Sequence, residues 1–517
     1  MKLLLAAAAV LLAAVPGAAA RSDPPLRLLS LDHPVISPNG NGINDTVTLH
    51  TSAPAGTLLG LRVYVWGGRL VGWVRIRTGV TVPGPDVTWN GTRADGNALH
   101  DGSFVVTACY EDAGVLLPPQ GVPRPGIAEA SVRRPPWRRT GCLANARVIR
   151  VERLAAYVDK PRSFSPGDRI PLVASADGGQ ATVELEHDCT GTETAGTVIP
   201  REAAPGLYHA DVTDPWGDHF EAPVVVRDRR PLDDPLPHTA LVVWPYLTWR
   251  AYSSYDADLN GIPDSWYQFW RQRRVSFIGP LLRNGVEDDA EAAAAFPRWV
   301  CSRSLRTQNV TDVELGRIPP KELSRYAAVV YPGHSEYYQR STYDLLKRYR
   351  DGGGHLIILQ ANPFYRPVRI DRKRNAEVLL DYDAREGRSD FGLAGVGYDG
   401  CCFPKVRAAP YVAAGGRDYQ RVKWLFRGTG IGPGQDFGIA YSESDRVDPG
   451  LSPPDHVIAA QAIMRGKFGV IHAAMTWTRA GKGQVFATGS YTFLRMGKHL
   501  TYKLLDNVWR KLVGPVS

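Results

Sequence analysis

No Cys-x-x-Cys pair occurs among the six cysteines of this 517-residue chain. A zinc ribbon or an iron–sulfur cluster built on thiolates is therefore not expected. Beyond the first 20 residues there is no uninterrupted apolar run of about 20 residues, so no later segment has the sequence of a membrane span. Charge is plentiful but poorly concentrated. The net charge of +9 comes mostly from arginines spread along the chain. The two denser basic runs, Arg133–Arg139 (RRPPWRR) and Arg369–Asn375 (RIDRKRN), are not interleaved with a recognisable nucleic-acid module. Nucleic acid is therefore not the expected partner, whereas anionic cell-wall polymers suit the same charge.

What is present describes ordinary globular material: 44% apolar and 22% charged residues, in a chain long enough for about three domains. The opening MKLLLAAAAVLLAAVPGAAA has one lysine, an apolar run and small residues ending at Ala18, Ala19 and Ala20. That pattern predicts a cleaved secretory signal at residues 1–20, with Arg21 as the first mature residue. Export makes the cysteines candidates for cross-links. Cys109 and Cys142, in the same early region, are the expected pair, while Cys189, Cys301, Cys401 and Cys402 stay open.

Three regions follow. Residues 23–151 hold short runs such as LGLRVYVWGG and DGSFVVTACYED, separated by Gly, Pro, Asn or Asp. Their period-two alternation predicts a β-sandwich. Ser37–Asp45 (SPNGNGIND) and Trp89–Phe104 resemble the opening and close of the immunoglobulin-like domain of the flagellar hook-capping protein and many bacterial surface proteins, with Asn41 where Asp is commoner. Residues 152–230 predict a second small sandwich, and 231–238 a Pro- and Asp-rich linker. From Thr239 to the end, continuous apolar runs alternate with helical patterns, predicting an α/β domain. Tyr326–Tyr331, a helix capped by Ser341 or Thr342 and closed by Gly352–Gly354, and HLIILQ form a strand, helix and strand of one right-handed crossover. A strand at GQVFATG and a helix over 501–512 close the unit.

That crossover locates the chemistry. His334, Glu336 and Tyr337 follow one strand and Asn362 follows the next, at the sheet edge where loops of parallel sheets converge. GLY at Gly206–Tyr208, LTWRAY at Leu247–Tyr252, PGHSEYY, GGGHLIILQANPFYRPVR, FRGTGIGPGQDFGIAYSESD and GQVFATGS resemble, in order, the large subunit of N,N-dimethylformamidase and the group sharing its carboxy-terminal domain. The resemblance implies an α/β domain similar to class I glutamine amidotransferases, without a cysteine nucleophile. It implies a metal-dependent amide hydrolase, acting on non-peptide C–N bonds, whose mononuclear iron is held by two tyrosinates and a glutamate. Carried onto this sequence, the iron ligands are Tyr208, Tyr252 (with Tyr255 as a rival) and Glu336. His334 stands beside the metal as an oxyanion donor, Asn362 orients substrate or water, and Glu443 moves the proton. The roles of Glu443 and His334 are exchangeable. The family enzyme's small second subunit is neither contained in nor implied by this chain. The expected substrate is a small amide-type molecule or a cell-surface polymer, and a homo-oligomer is compatible with the sequence.

Asp256, Asp258, Asn260 and Asp264, in DADLNGIPD, follow the order of short calcium loops, with Gly261 at the turn but Tyr267 where a full site has glutamate. The expected role is to stiffen the segment beside Tyr252. A competing class is a non-catalytic surface protein, or a sugar-binding one stacking on Trp244, Trp249, Trp266 and Trp270.

Overall fold

The computed structural model describes residues 26–67, 73–110, 142, 146–176, 180–266, 273–282, 293–381, 389–401, 407–466 and 469–516. The expected leader, the Arg133–Arg139 run, Tyr267, Trp270 and Cys402 lie outside them.

Alternating burial along Val47–Thr51 builds one face of the first module. That strand lies between Leu28–Leu31 and Asp86–Trp89 in a three-stranded sheet. A second sheet carries Arg147–Val151, Gly102–Tyr110, Leu58–Trp66 and Trp73–Ile76. Val47, Leu49, Val63, Trp89, Phe104 and Ile149 fill the space between them. Cys109 and Cys142 are joined in a disulfide. The next module sets the pair Leu154–Val158 and Leu172–Ala176 beside a four-stranded sheet of Glu193–Ala195, Thr182–His187, Gly206–Thr213 and His219–Val226.

The C-terminal region is centred on nine strands. Five are parallel, in the order Thr307–Thr311, Ala240–Trp244, Ala328–Tyr331, His355–Ile358 and Gly483–Ala487. The antiparallel strands Gly469–Ala480, Asp455–Gly466, Ala409–Ala413 and Asp436–Ala440 extend the sheet. Ala240–Trp244 is buried at every position because both faces are covered. Val242 and Trp244 enter one apolar cluster, whereas Leu241 and Val243 enter the other.

The crossover helix runs Arg340–Asp351, with Gln339 and not Ser341 or Thr342 at its N-cap. The reason is tertiary. Tyr337–Gln339 is drawn into a separate sheet beside Arg366–Asp371, Ala376–Leu379 and Arg274–Ser276, so the helix begins where that pairing ends. The last helix likewise starts earlier than expected, at Lys498, and ends at Leu512.

The modules are tied to one another. Leu207 and Val225 of the second sandwich enter the α/β core. Ser163 donates from its N–H and Oγ to Glu314, at 2.7 and 3.1 Å. A disulfide joins Cys189 to Cys301. From the first module, Arg150 donates to the Tyr255 hydroxyl at 2.9 Å and to the Asp256 carbonyl. Gly261, at φ 86°, lies so close to Val105 that a Cβ there would be 2.6 Å from its Cγ2. Cys401 is disulfide-bonded too, to a partner outside the described residues. Among the described residues no helix is long and apolar enough to cross a membrane.

Candidate active site

Tyr252 ends the helix Tyr246–Tyr252, which leaves the carboxyl end of Ala240–Trp244. Asp312 caps that helix from another element, accepting the Leu247 N–H at 3.2 Å. His334 and Glu336 follow the neighbouring strand Ala328–Tyr331. Gly333 lets this loop pass Pro245, since a Cβ would meet Pro245 Cγ at 2.8 Å. The loop is then fixed from below. The Phe364 N–H donates to the Ser335 carbonyl at 2.9 Å, and the Tyr365 and Arg366 N–H groups both donate to the Glu336 carbonyl, at 2.9 and 3.0 Å.

Five side chains meet here. The Tyr252 hydroxyl donates to the Glu336 carboxylate and lies 3.3 Å from His334 Nε2. His334 Nε2 is 3.0 Å from Glu443 Oε2 and 3.8 Å from Glu336 Oε2, so the imidazole stands between two carboxylates. Asn362 donates from Nδ2 to Glu443 Oε2 at 3.3 Å. His334, Glu336 and Asn362 are buried. Tyr491 packs its ring 5.6 Å from that of His334, and Tyr337 lies 6.2 Å from the Tyr252 ring.

Charge makes this arrangement costly for a lone phenol. Burial raises the Tyr252 hydroxyl well above its ordinary pKa, and the nearby Glu336 and Glu443 charges raise it further. Tyr337 is raised in the same direction, by burial first and then by Glu336. Acids gathered around an un-ionised phenol favour a cation, which would stabilise carboxylates and phenolate together.

Tyr208 does not join the group. Its hydroxyl donates to the Ala204 carbonyl at 2.9 Å, and its ring stacks on His187 with centroids 4.4 Å apart. Strand alternation is the cause: Leu207 faces the α/β core, so Tyr208 faces the interior of its own sandwich. Burial pushes its pKa up to about 12. The rival Tyr255 is engaged by Arg150, whose guanidinium carbon also lies 4.5 Å from the ring centroid.

The expected calcium loop closes largely on itself. Asp256 accepts the Asn260 and Gly261 N–H groups at 3.1 and 2.8 Å, Asp258 accepts from the Asn260 N–H and Nδ2, and Asp264 accepts the Ala257 N–H at 3.0 Å. Asn260 Oδ1 accepts the Ile262 N–H. The sugar-stacking expectation fails for Trp244, Trp249 and Trp266, which are buried in the core beneath the site.

Another potential metal-binding group lies elsewhere: His187, Cys189 and Cys301 present ligand atoms within 4.8 Å of one another. Its two sulfurs form the inter-module disulfide and lack the thiolate charge that binds metal.

Sequence reasoning missed Asp445 and Tyr491. Asp445 Oδ1 accepts the Asn362 N–H at 2.8 Å, and the Tyr491 N–H donates to the Glu443 carbonyl at 3.1 Å. Their signals were faint: a second acid two places after Glu443, and an aromatic just past GQVFATGS.

Several solved structures are similar, all at low identity. A ThuA-like protein from Bacteroides uniformis ATCC 8492 shares 11% identity, covering 54% of this chain and 94% of its own, at a TM-score of 0.31. A ThuA-like protein from Parabacteroides merdae ATCC 43184 shares 12%, covering 55% and 92%, at 0.29. A fragment of intimin, in complex with its receptor's binding domain, shares 11%, covering 38% and 62%, at 0.15. These TM-scores are too low to carry an argument. No curated protein sequence matches the chain. The profile of the N,N-dimethylformamidase beta subunit-like, C-terminal family matches residues 150–496, and the chain belongs to that family.

Proposed function

We propose that this protein is a secreted, metal-dependent hydrolase of amide C–N bonds other than peptide bonds. One observation carries the reading: the Tyr252 phenol, the His334 imidazole and the Glu336 and Glu443 carboxylates converge past the carboxyl ends of parallel strands. The family membership supports the same chemistry. We read the α/β unit as glutamine amidotransferase-like, and the first sandwich as a surface-type module of the hook-capping kind. Two disulfides between described cysteines agree with an oxidising compartment.

The donor set fits a hard cation such as ferric iron. Tyr252 and Glu336 would hold it through oxygen, and when bound it would polarise an amide carbonyl and acidify water. Tyr208 is left out, because its hydroxyl is committed to Ala204.

The remaining work falls to the chain. His334 is placed to donate to the oxygen that gains charge as the carbonyl is attacked. Glu443, in contact with both His334 and Asn362, accepts the proton lost by the attacking water and returns it to the leaving amine. The Asn362 Nδ2 contact fixes Glu443, and Oδ1, which has no partner among the described residues, is available to orient water or substrate.

The test is elemental analysis of the purified protein together with hydrolysis of N,N-dimethylformamide and a panel of simple amides. Iron near one equivalent with amine release supports the reading. A well-folded, metal-free and inert wild type removes it.

A further inference from the structure

We propose that Asp445 is a positioning residue of this site: its buried carboxyl group locks the backbone of Asn362 so that the Asn362 amide meets Glu443. The inference rests on the hydrolase reading for its kinetic consequence but not for its structural one.

Asn362 has a left-handed backbone, at φ 56°. Asparagine enters that conformation more readily than most L residues, yet still at some cost that a fixed partner offsets. Here the restraint is visible: Asp445 Oδ1 accepts the Asn362 N–H at 2.8 Å, and it acts against Pro363, whose ring favours extended backbone in the residue before it. Two residues before Asp445, the Glu443 side chain receives the Asn362 Nδ2 contact at 3.3 Å. Asn362 is therefore gripped twice by one short segment, through its backbone by Asp445 and through its side chain by Glu443.

The gripping segment is itself anchored to the sheet. The Asp445 N–H donates to the Gly489 carbonyl at 3.0 Å, just past the strand Gly483–Ala487, and Ser444 bridges Ser490. Gly489, at φ 64°, admits no side chain, since a Cβ would approach the Ala474 carbonyl oxygen at 2.2 Å. Rigidity passes from the sheet through Gly489 and Asp445 to Asn362, and on to Glu443 and His334.

The chemical state of Asp445 suits this role. It has no solvent exposure, and Oδ2 has no hydrogen-bond partner among the described residues. Burial raises its pKa well above the carboxylate range, the Asn362 N–H hydrogen bond and His334 act against that rise, and the charges of Asp390 and Glu443 add to it. A neutral acid accepts the Asn362 N–H without adding a further negative charge beside Glu443. An asparagine offers the same carbonyl oxygen in nearly the same volume, so it should substitute.

The experiment compares Asp445→Asn and Asp445→Ala with the wild type in the full-length protein. Hydrogen exchange of peptides spanning Asn362 reads the backbone restraint directly, with or without activity. Exchange at Asn362 is expected to rise about tenfold or more in Asp445→Ala and to stay within about threefold of wild type in Asp445→Asn. With an active wild type, kcat in Asp445→Ala falls about ten- to a hundredfold with KM and iron nearly unchanged, and Asp445→Asn restores it. A folded Asp445→Asn protein that loses both protection and kcat overturns the inference, as does an Asp445→Ala protein that keeps both. Should Asp445→Ala fail to fold, the Asp445→Asn result alone decides. A metal-free, inert wild type sinks the hydrolase reading and leaves the exchange comparison to judge Asp445.

Discussion

Tyr252 and Tyr208 both have desolvated phenols and both lie in segments resembling the same family, yet they occupy opposite electrostatic settings. The Tyr208 hydroxyl has one neutral acceptor, the Ala204 carbonyl, and burial alone raises its pKa, to about 12. The Tyr252 hydroxyl faces Glu336, with Glu443 nearby, and those charges add to burial. A neutral carbonyl satisfies a phenol, and nothing more is needed. Two carboxylates around a phenol leave negative charge that a cation neutralises. The difference separates a tyrosine that stabilises a sandwich from the one proposed to hold metal.

The largest expected effect comes from exchanging the two. Tyr252→Phe is expected to lower bound iron about tenfold or more, as is Glu336→Ala, by removing a metal donor. Tyr208→Phe should keep its iron and lose about 1 kcal/mol of stability with its hydrogen bond. Metal analysis beside urea unfolding reads both effects, and iron lost from Tyr208→Phe would break the comparison outright.

Next come the residues that touch the Tyr252 group without being assigned as metal donors. Glu443→Gln is expected to reduce kcat by about a hundredfold to ten-thousandfold at unchanged iron content. Equal loss of iron and rate would make Glu443 a ligand instead.

The second sandwich supplies a third contrast. Its disulfide, Cys189–Cys301, spans 112 residues of sequence and clamps the module carrying Tyr208 to the α/β domain. The double variant Cys189→Ala, Cys301→Ala should cost about 2–4 kcal/mol in unfolding free energy, with iron and KM intact. A changed metal content would show that the clamp shapes the site.

A buried acid outside the Tyr252 group tests the effect of burial. Asp390 is raised to about 6, first by burial, against about 3.9 in an unfolded chain. The folded state therefore retains a proton that the unfolded state releases between those values, and this group's contribution to stability falls as pH rises from about 4 to about 6. Asp390→Asn should be more favourable relative to wild type at pH 7 than at pH 4, as read by urea titration. No difference between the two pH values would show that folding does not raise the Asp390 pKa.

The smallest effect concerns the Asp256–Asp264 loop. Its acids already accept backbone N–H groups, so added calcium is expected to move the melting temperature by no more than about 2 °C. A larger rise, abolished in Asp258→Asn, would assign calcium to the loop.

Much of the α/β domain was legible in the sequence because its signals are local. A strand covered on both faces is apolar throughout, as Ala240–Trp244 is, and the apolar stripe of the crossover helix marks its buried side. His334, Glu336 and Asn362 could be placed at one edge because they follow successive parallel strands. The helix start was not legible, since Tyr337–Gln339 pairs with Arg366–Asp371, and that partner is distant in sequence. Asp445 was hidden for the same reason: its importance is a hydrogen bond to Asn362, 83 residues away.

Sequence by itself determined the strand–helix–strand crossover, the Cys109–Cys142 pairing and the family, because each is carried by periodicity, cysteine position or motifs in order. Tertiary structure alone decided which tyrosine stands among carboxylates. Tyr208 and Tyr252 are both plausible as sequence, but the direction of each side chain depends on which core its neighbours enter. Leu207 turns toward the α/β core and sends Tyr208 the other way, whereas the helix after Ala240–Trp244 delivers Tyr252 to Glu336.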